Sequence, residues 1–548
     1  MTEETQTTTL RGRVVPQAGE WRELQEVHFA GERIVAAAGE AGRTLDFGDR
    51  VVMPGFVDPH VHLEHLARAD TMVDCRAPGC GSVEDVLQAF GDNLDKQRDG
   101  WLVGMGNLFL DQRLADGRLP TREELDSVSE DLCIVLRAGG HTSVLNSKAF
   151  ELSDVVKYAG KEGMMGGAVI ETGADGRPSG TISELDAALP IPELEPDEVR
   201  AAIKRVSNEL FRNKGVTSLG EISESVLGMN AMDALFQAGE IHTRMSLYLW
   251  APATMSIDDA CRWQDILDFR TERDRLAVQG LKVFADGGYS ARNAATLTPY
   301  QEPHALCPGS CGHVNLESEQ IEVVARRAEE AGLQLAVHAN GERAQHAACD
   351  GIREYQGGGG TRPPTRVEHA GNLVTSAETV RHWRDAGILP APNPAFIYVF
   401  GNVLEEYLGA PGTKGRFPFR TLLEDNWRLS GGSDIGMGCD PRQTNPMFGL
   451  WCCTHREGFE GRPIEPDQRI GIDEALRMFT VNGAHALGVE EDRGTLEVGK
   501  LADAIVLERD LREIPAEKLL DAKVDYVFVG GELVYERPGA ERYVEIGA

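Results

Sequence analysis

Eight short apolar runs recur along this chain, and several of them stop on a histidine or an aspartate. They lie at 51–62, 215–221, 244–250, 281–286, 333–338, 365–369, 388–392 and 428–434. Stretches with helical periodicity separate several of them, such as 318–331 before Gly332 and 376–386 before Gly387. Eight strands with intervening helices predict an α/β fold of the (β/α)8 TIM-barrel type. A barrel gathers the C-terminal ends of its strands into one ring, so residues hundreds apart in sequence can meet there.

The first run ends Pro54-Gly55-Phe56-Val57-Asp58-Pro59-His60-Val61-His62. In a strand, residues i and i+2 point to the same side, so His60 and His62 project together. A bare His-x-His is more often one core and one surface histidine. Here Lys282, His338, His369 and Asp434 stand at further strand ends. Several imidazoles with a carboxylate suit Zn²⁺, and also Mn²⁺ or Fe²⁺. The bland alternatives are a helix N-cap for Asp434 and a surface-paired lysine for Lys282, with Glu221 or Asp286 as the carboxylate instead.

One connection is far longer than the rest. Residues 68–210 carry strand-like runs of their own at 101–105 and 132–136, and are expected to form an inserted α/β subdomain covering the active-site face. Short strands at both ends of the chain suggest one β-sandwich built from 1–53 and 490–548, leaving 54–67 and 211–489 for the barrel.

With 55 basic and 87 acidic residues the chain carries a formal charge of −32, which argues against nucleic acid and anionic membranes as partners. Ten scattered cysteines do not read as a disulfide scaffold, and 307–313 is their only local cluster. The polar, acidic start has no secretory pattern, and no apolar run is long enough to span a membrane. The expectation is a soluble, cytoplasmic homo-oligomer, a dimer, acting on a small molecule.

The sequence resembles the amidohydrolase superfamily, and within it amidohydrolase family 3, which includes N-substituted formamide deformylases. The resemblance rests on the Pro54–His62 motif, Gly140-His141 with Asn146-Ser147, Lys282 with Asp286-Gly287, and His338 with Gly341-Glu342-Arg343-Ala344. It continues through Arg366-Val-Glu368-His369-Ala370, Gly432-Ser433-Asp434 and the stretch from Gly494 to Asp503. It implies a barrel with a terminal β-sandwich and one or two divalent ions, most simply Zn²⁺. By the same resemblance His60, His62, Lys282, His338, His369 and Asp434 are metal ligands, with Lys282 carboxylated to bridge two ions. Asp434 is then also the proton carrier, and His141 a substrate-side residue. Arg343 could orient a substrate or pair with Glu342, and Trp101 is the aromatic of the insertion expected to cover it.

The expected activity is hydrolysis of a C–N bond in an amide or N-substituted formamide by a metal-activated hydroxide. Hydrolysis of a cyclic amide or carbamate, ring deamination, and a non-catalytic metal-binding barrel remain alternatives.

Overall fold

A computed structural model describes residues 7–39, 42–139, 142–158, 162–163, 166–167, 169–173, 176–183, 185–301, 310–357, 364–436 and 439–546. Seven parallel strands form the wall of an α/β barrel: β1 Phe56–Val61, β2 Val216–Ser223, β3 Arg244–Trp250, β4 Leu276–Phe284, β5 Gln334–His338, β6 Arg366–Glu368 and β7 Leu389–Ala391. They are neighbours in chain order, as right-handed strand–helix–strand units require. Both faces of such a wall are covered, so β1, β2, β5 and β6 are buried at every position. The register brings the functional ends level. Trp250 lies opposite Lys282, Phe284 opposite His338, and His338 opposite Glu368.

The eighth run does not form a ladder strand. Residues 429–435 meet β1 through a single parallel bridge, Val61 to Ile435. Asp434 N donates to His60 O at 2.8 Å, and His62 N donates to Ile435 O at 2.9 Å. On the other side the Asn393 side chain, not a backbone pair, reaches Gly432 O at 3.4 Å. Gly432 makes the close approach possible, since a Cβ there would stand 2.9 Å from His60 Cβ.

The terminal strands join one eight-stranded sheet drawn from both ends of the chain. Its central strand, Arg43–Pro54, pairs with Thr7–Val14 on one side, and with Ala504–Leu507 and Val544–Ile546 on the other. The register breaks around residues 47–50, where four residues have no partner opposite Gly12. Leu10, Phe29, Leu45 and Val52 from the start pack with Ala504, Val506, Tyr526 and Phe528 from the end. Val51–Met53 therefore belong to this sheet, and the barrel begins after Gly55. A side chain at Gly55 would collide with Thr217 at 2.2 Å. Buried Arg244 at the start of β3 clamps the sheet to the barrel through two bonds to Asp503, at 2.8 and 3.1 Å.

The insertion has a six-stranded sheet of its own, including Trp101–Gly106 and Cys133–Ala138, with a separate hydrophobic cluster on each face. It ends earlier than the sequence suggests. Helix Pro196–Arg205 and its continuation to Phe211 place Val199, Ile203, Val206 and Phe211 in the barrel core. The continuation, Val206–Phe211, is π-helical, and Val199, Ile203 and Val206 lie on one face. No described helix is long and apolar enough to cross a membrane. The nine described cysteines are all free.

Candidate metal centre

The four histidines sit at or just past the ends of strands, Lys282 lies two residues before the end of β4, and Asp434 lies on the eighth segment. His60 is on β1. His62 lies one residue past its end, at the N-cap position of helix Leu63–Ala69, so the pair is not carried by one strand as expected. Their rings still lie 5.6 Å apart. His338 closes β5, and His369 follows β6. His369 and Asp434 adopt left-handed backbone conformations, φ 71° and 49°. Such conformations are uncommon for residues with a Cβ and cluster at functional sites.

The side chains converge. Asp434 Oδ1 lies 3.2 Å from His60 Nε2 and 3.4 Å from His62 Nε2, and its Oδ2 lies 3.9 Å from His369 Nδ1. His338 Nδ1 and His369 Nε2 face each other at 3.0 Å. Lys282 Nζ, fully buried, is 3.5 Å from His60 Nε2. Of the sequence-predicted ligands, all six are thus in one ring: His60, His62, Lys282, His338, His369 and Asp434.

The far nitrogen of each imidazole is held, which orients the ring. His60 Nδ1 pairs with Glu368 Oε2 at 2.8 Å, and His62 Nδ1 with Glu224 Oε1 at 2.8 Å. His369 Nδ1 pairs with Asn393 Oδ1 at 2.8 Å, and His338 Nε2 with Gly287 O at 3.2 Å. Glu368 is itself bound by Arg366, whose guanidinium lies 4.2 Å over the Tyr248 ring. Asp58 Oδ1 accepts from His60 N and Ser433 N, tying β1 to the eighth segment.

Burial, and then the Lys282 charge, pushes His60 down to about 4. Burial also works against the His62 cation, but hydrogen bonds to Asp434 and Glu224 outweigh it and lift His62 to about 10. Burial takes Lys282 down to about 8. Asp434 is also opposed by burial, yet the His60, His62 and His369 rings hold it well below the usual carboxylate range.

The rival carboxylates are held by backbone N–H groups, although Asp286 Oδ1 also stands 3.6 Å from His338 Nε2. Glu221 accepts from Leu63 N at 2.6 Å and Glu64 N at 3.3 Å, capping a helix start. Asp286 accepts from Ala295 N, Asn340 N and Gly341 N, which fixes the loop after β4.

Three expected substrate-side residues fare differently. Trp101 is in the insertion's own hydrophobic core with Cys133, Val135 and Leu145, so it is not part of the ring's surroundings. A strand-borne aromatic is more often core than contact, and the alternation of that strand buries it. Arg343 turns to the carbonyls of Cys311 and Gly312, at 3.4 and 3.5 Å, and braces that loop. His141 lies outside the described residues, as does Cys307. Phe109, not Trp101, joins the insertion to the barrel, with ring centroids 5.3 Å from Phe400 and 5.9 Å from Tyr407.

Sequence reasoning missed Glu224, His65, Glu368 as a partner of His60, and the aromatics Trp250 and Phe284. Trp250 and Phe284 stack at 4.9 Å, and Phe284 stacks on His338 at 4.4 Å. Both remain partly exposed, as do His62 at 14% and Asp434 at 15%, while His60, Lys282 and His369 are sealed. Phe396 and Phe400 on the His369 side are buried. The open side of the ring is therefore the His62–Asp434–Trp250–Phe284 side.

Residues 43–535 match the model of the amidohydrolase family, in its family-3 form. The chain belongs to that family. It is 27% identical over 516 residues to the N-substituted formamide deformylase of Arthrobacter pascens, covering 92% of each chain. It is 24% identical to the putative amidohydrolase YtcJ of Bacillus subtilis (strain 168), covering 90% of each. Its fold matches the crystal structure of an uncharacterized metal-dependent hydrolase from Pyrococcus horikoshii, with a TM-score of 0.71 at 23% identity, over 93% of this chain and 99% of that one.

The residues present fit a divalent ion. His60, His62 and Asp434 present one ligand atom each within 4.8 Å of one another. The nitrogens of His338 and His369 that face each other at 3.0 Å form a pair that one proton or one cation can hold together. Nitrogen and carboxylate donors of this kind suit a borderline transition metal.

Proposed function

We propose that this amidohydrolase-family protein is a metal-dependent hydrolase of the C–N bond in an amide, N-substituted formamides foremost. The observation that carries the reading is the convergence of four imidazoles and Asp434 at one end of the barrel. The formamide preference draws on the likeness to the Arthrobacter pascens enzyme over nearly the whole chain.

His60, His62, His338, His369 and Asp434 would hold one or two ions, zinc being the simplest fit to the donor set. A bound ion of this kind activates water at neutral pH and polarises the carbonyl. Asp434 takes the proton from the attacking water, being ionised at neutral pH, and returns it to the leaving nitrogen. That second transfer matters because an unprotonated amide nitrogen is a poor leaving group. The left-handed turn at Asp434 aims the carboxylate at both pairs of histidines, and its partial exposure leaves it within reach of a substrate. Trp250 and Phe284 form the apolar wall next to it, and the nitrogen substituent lies there.

Lys282 is the candidate bridging group. Burial favours its neutral amine, which adds CO₂ to give a carbamate with loss of one proton. The resulting anion would lie beside His60, and Glu221 and Asp286 are held by backbone N–H groups. The eighth segment, 429–435, completes the (β/α)8 barrel in this reading, with the terminal sheet as the sandwich and the insertion as the cover.

The test is an assay of metal-stripped and zinc-, manganese- or iron-loaded protein on formamides, other linear amides, cyclic imides and carbamates. Metal-dependent turnover strongest on a formamide supports the reading. Turnover unaffected by stripping, or confined to cyclic imides, overturns it.

A further inference from the structure

Glu224 has a place in the structure that the proton transfers above do not use. It follows β2 directly, and its Oε1 lies 2.8 Å from His62 Nδ1 and 3.0 Å from His65 Nδ1. One carboxylate oxygen thus meets two imidazoles. His65 stands three residues after His62, in the first turn of helix Leu63–Ala69, the spacing that brings two side chains to one face. Its side chain is 34% exposed, whereas Glu224 is only 11% exposed.

The corresponding partner of His60 is built differently. Glu368 offers Oε2 to His60, while Arg366 holds its Oε1, so both ends of that carboxylate are pinned. Glu224 has no arginine; its described side-chain partners are the two imidazoles. A carboxylate with one partner can swing about its last torsion, which is broad. A second donor on the same oxygen limits that swing.

We propose that Glu224 and His65 form a brace that fixes His62 as an Nε2 ligand. Glu224 holds a proton on His62 Nδ1, so the nitrogen left for a cation, once its proton is displaced, is Nε2, which faces Asp434. It also makes that nitrogen a stronger donor, as a carboxylate behind a metal-bound imidazole does. His65 acts only through Glu224, by holding the carboxylate in place. Both are positioning residues, and neither touches the substrate. The inference rests on the reading of His62 as a ligand.

The test is the Zn²⁺ affinity of the metal-stripped full chain, measured by competition with a chromophoric chelator, for wild type, Glu224→Gln, His65→Ala, His65→Gln and the double variant Glu224→Gln/His65→Ala. Glu224→Gln should weaken binding by about 10–100-fold. His65→Ala should weaken it by less than about tenfold, and add nothing in the Glu224→Gln background, because residues acting through one contact are not additive. His65→Gln, whose amide can still donate, should recover most of the loss. The two His65 variants change a partly exposed side chain and serve even where Glu224→Gln fails to fold. The brace is overturned if Glu224→Gln binds as tightly as wild type, or if His65→Ala costs the same in both backgrounds. A wild-type protein that binds no zinc, manganese or iron would overturn the proposed function as well.

Discussion

On the β1 side of the ring, His60 and His62 turn their far nitrogens to carboxylates, Glu368 and Glu224. On the β5–β6 side, His338 and His369 turn theirs to a backbone carbonyl and an amide oxygen, at Gly287 and Asn393. Each imidazole of the first half has a carboxylate in hydrogen-bond contact, whereas the buried acid nearest the second, Asp286, stands 3.6 Å from His338 Nε2 and is held by three backbone N–H groups. A carboxylate behind an imidazole raises its donor strength, whereas a neutral oxygen only orients it. The expectation is that the β1 half would hold a cation more tightly than the β5–β6 half. Asp434 joins them, with Oδ1 toward the first pair and Oδ2 toward His369.

The largest effect is expected at that joining carboxylate. Asp434→Asn keeps an oxygen donor for either half but cannot carry a proton. Turnover should fall by about 10²–10⁴-fold, the usual cost of a lost general acid/base, with metal content falling far less. Steady-state rates and metal analysis on one preparation check this. A variant that turns over normally would show that the proton takes another route.

Next in size is Glu368→Gln, which makes the partner of His60 as neutral as those of the other half. Metal affinity should drop by about 10–100-fold. The variant should also lose stability, because Arg366 is left as a buried charge without its partner, a change that costs about 3–5 kcal/mol in comparable pairs. Chemical denaturation beside the metal titration separates the two effects. Unchanged affinity in a folded variant would remove the basis for distinguishing the halves.

A smaller effect should appear in the metal-free protein as a pH dependence of opposite sign for the two kinds of histidine. Burial, with nearby cationic groups, lowers His338 well below its ordinary value, and burial lowers His369. Such groups bind fewer protons folded than unfolded. Their contribution is whole above about pH 6.5, the unfolded value, and is lost as pH falls from there through the folded values. His62, lifted to about 10 against the effect of burial by its hydrogen bonds to Asp434 and Glu224, behaves the other way. Its contribution is whole below about pH 6.5 and is lost as pH rises toward 10. Melting temperatures of stripped protein across pH 5–9 should show both limbs. His338→Ala should flatten the acid limb and His62→Ala the alkaline one.

Much of the ring was readable because strand ends are marked locally. An apolar run that stops on His338 announces both the strand and the group it presents. The partners were not readable in the same way. Glu224 meets His62 from 162 residues away, and Glu368 meets His60 from 308 away, with no periodic signal linking them. His65 did leave a local trace, one helical turn after His62, and could have been found from that spacing. Trp101 misled because an aromatic residue in a covering domain reads as a contact, while its strand position decides that it is core. The eighth run looked like a strand by composition, but Gly432 lets it close on β1 for one bridge, at Ile435, and the ladder stops there.

The most direct test of the two-halved metal centre is a metal titration of the stripped full-length protein, comparing wild type with His62→Ala and His338→Ala. The wild type should bind at least one equivalent of a divalent transition metal tightly. His62→Ala should lose that tight step, and His338→Ala should keep it. A wild type that binds no metal, or a tight step lost in His338→Ala and kept in His62→Ala, would contradict the account.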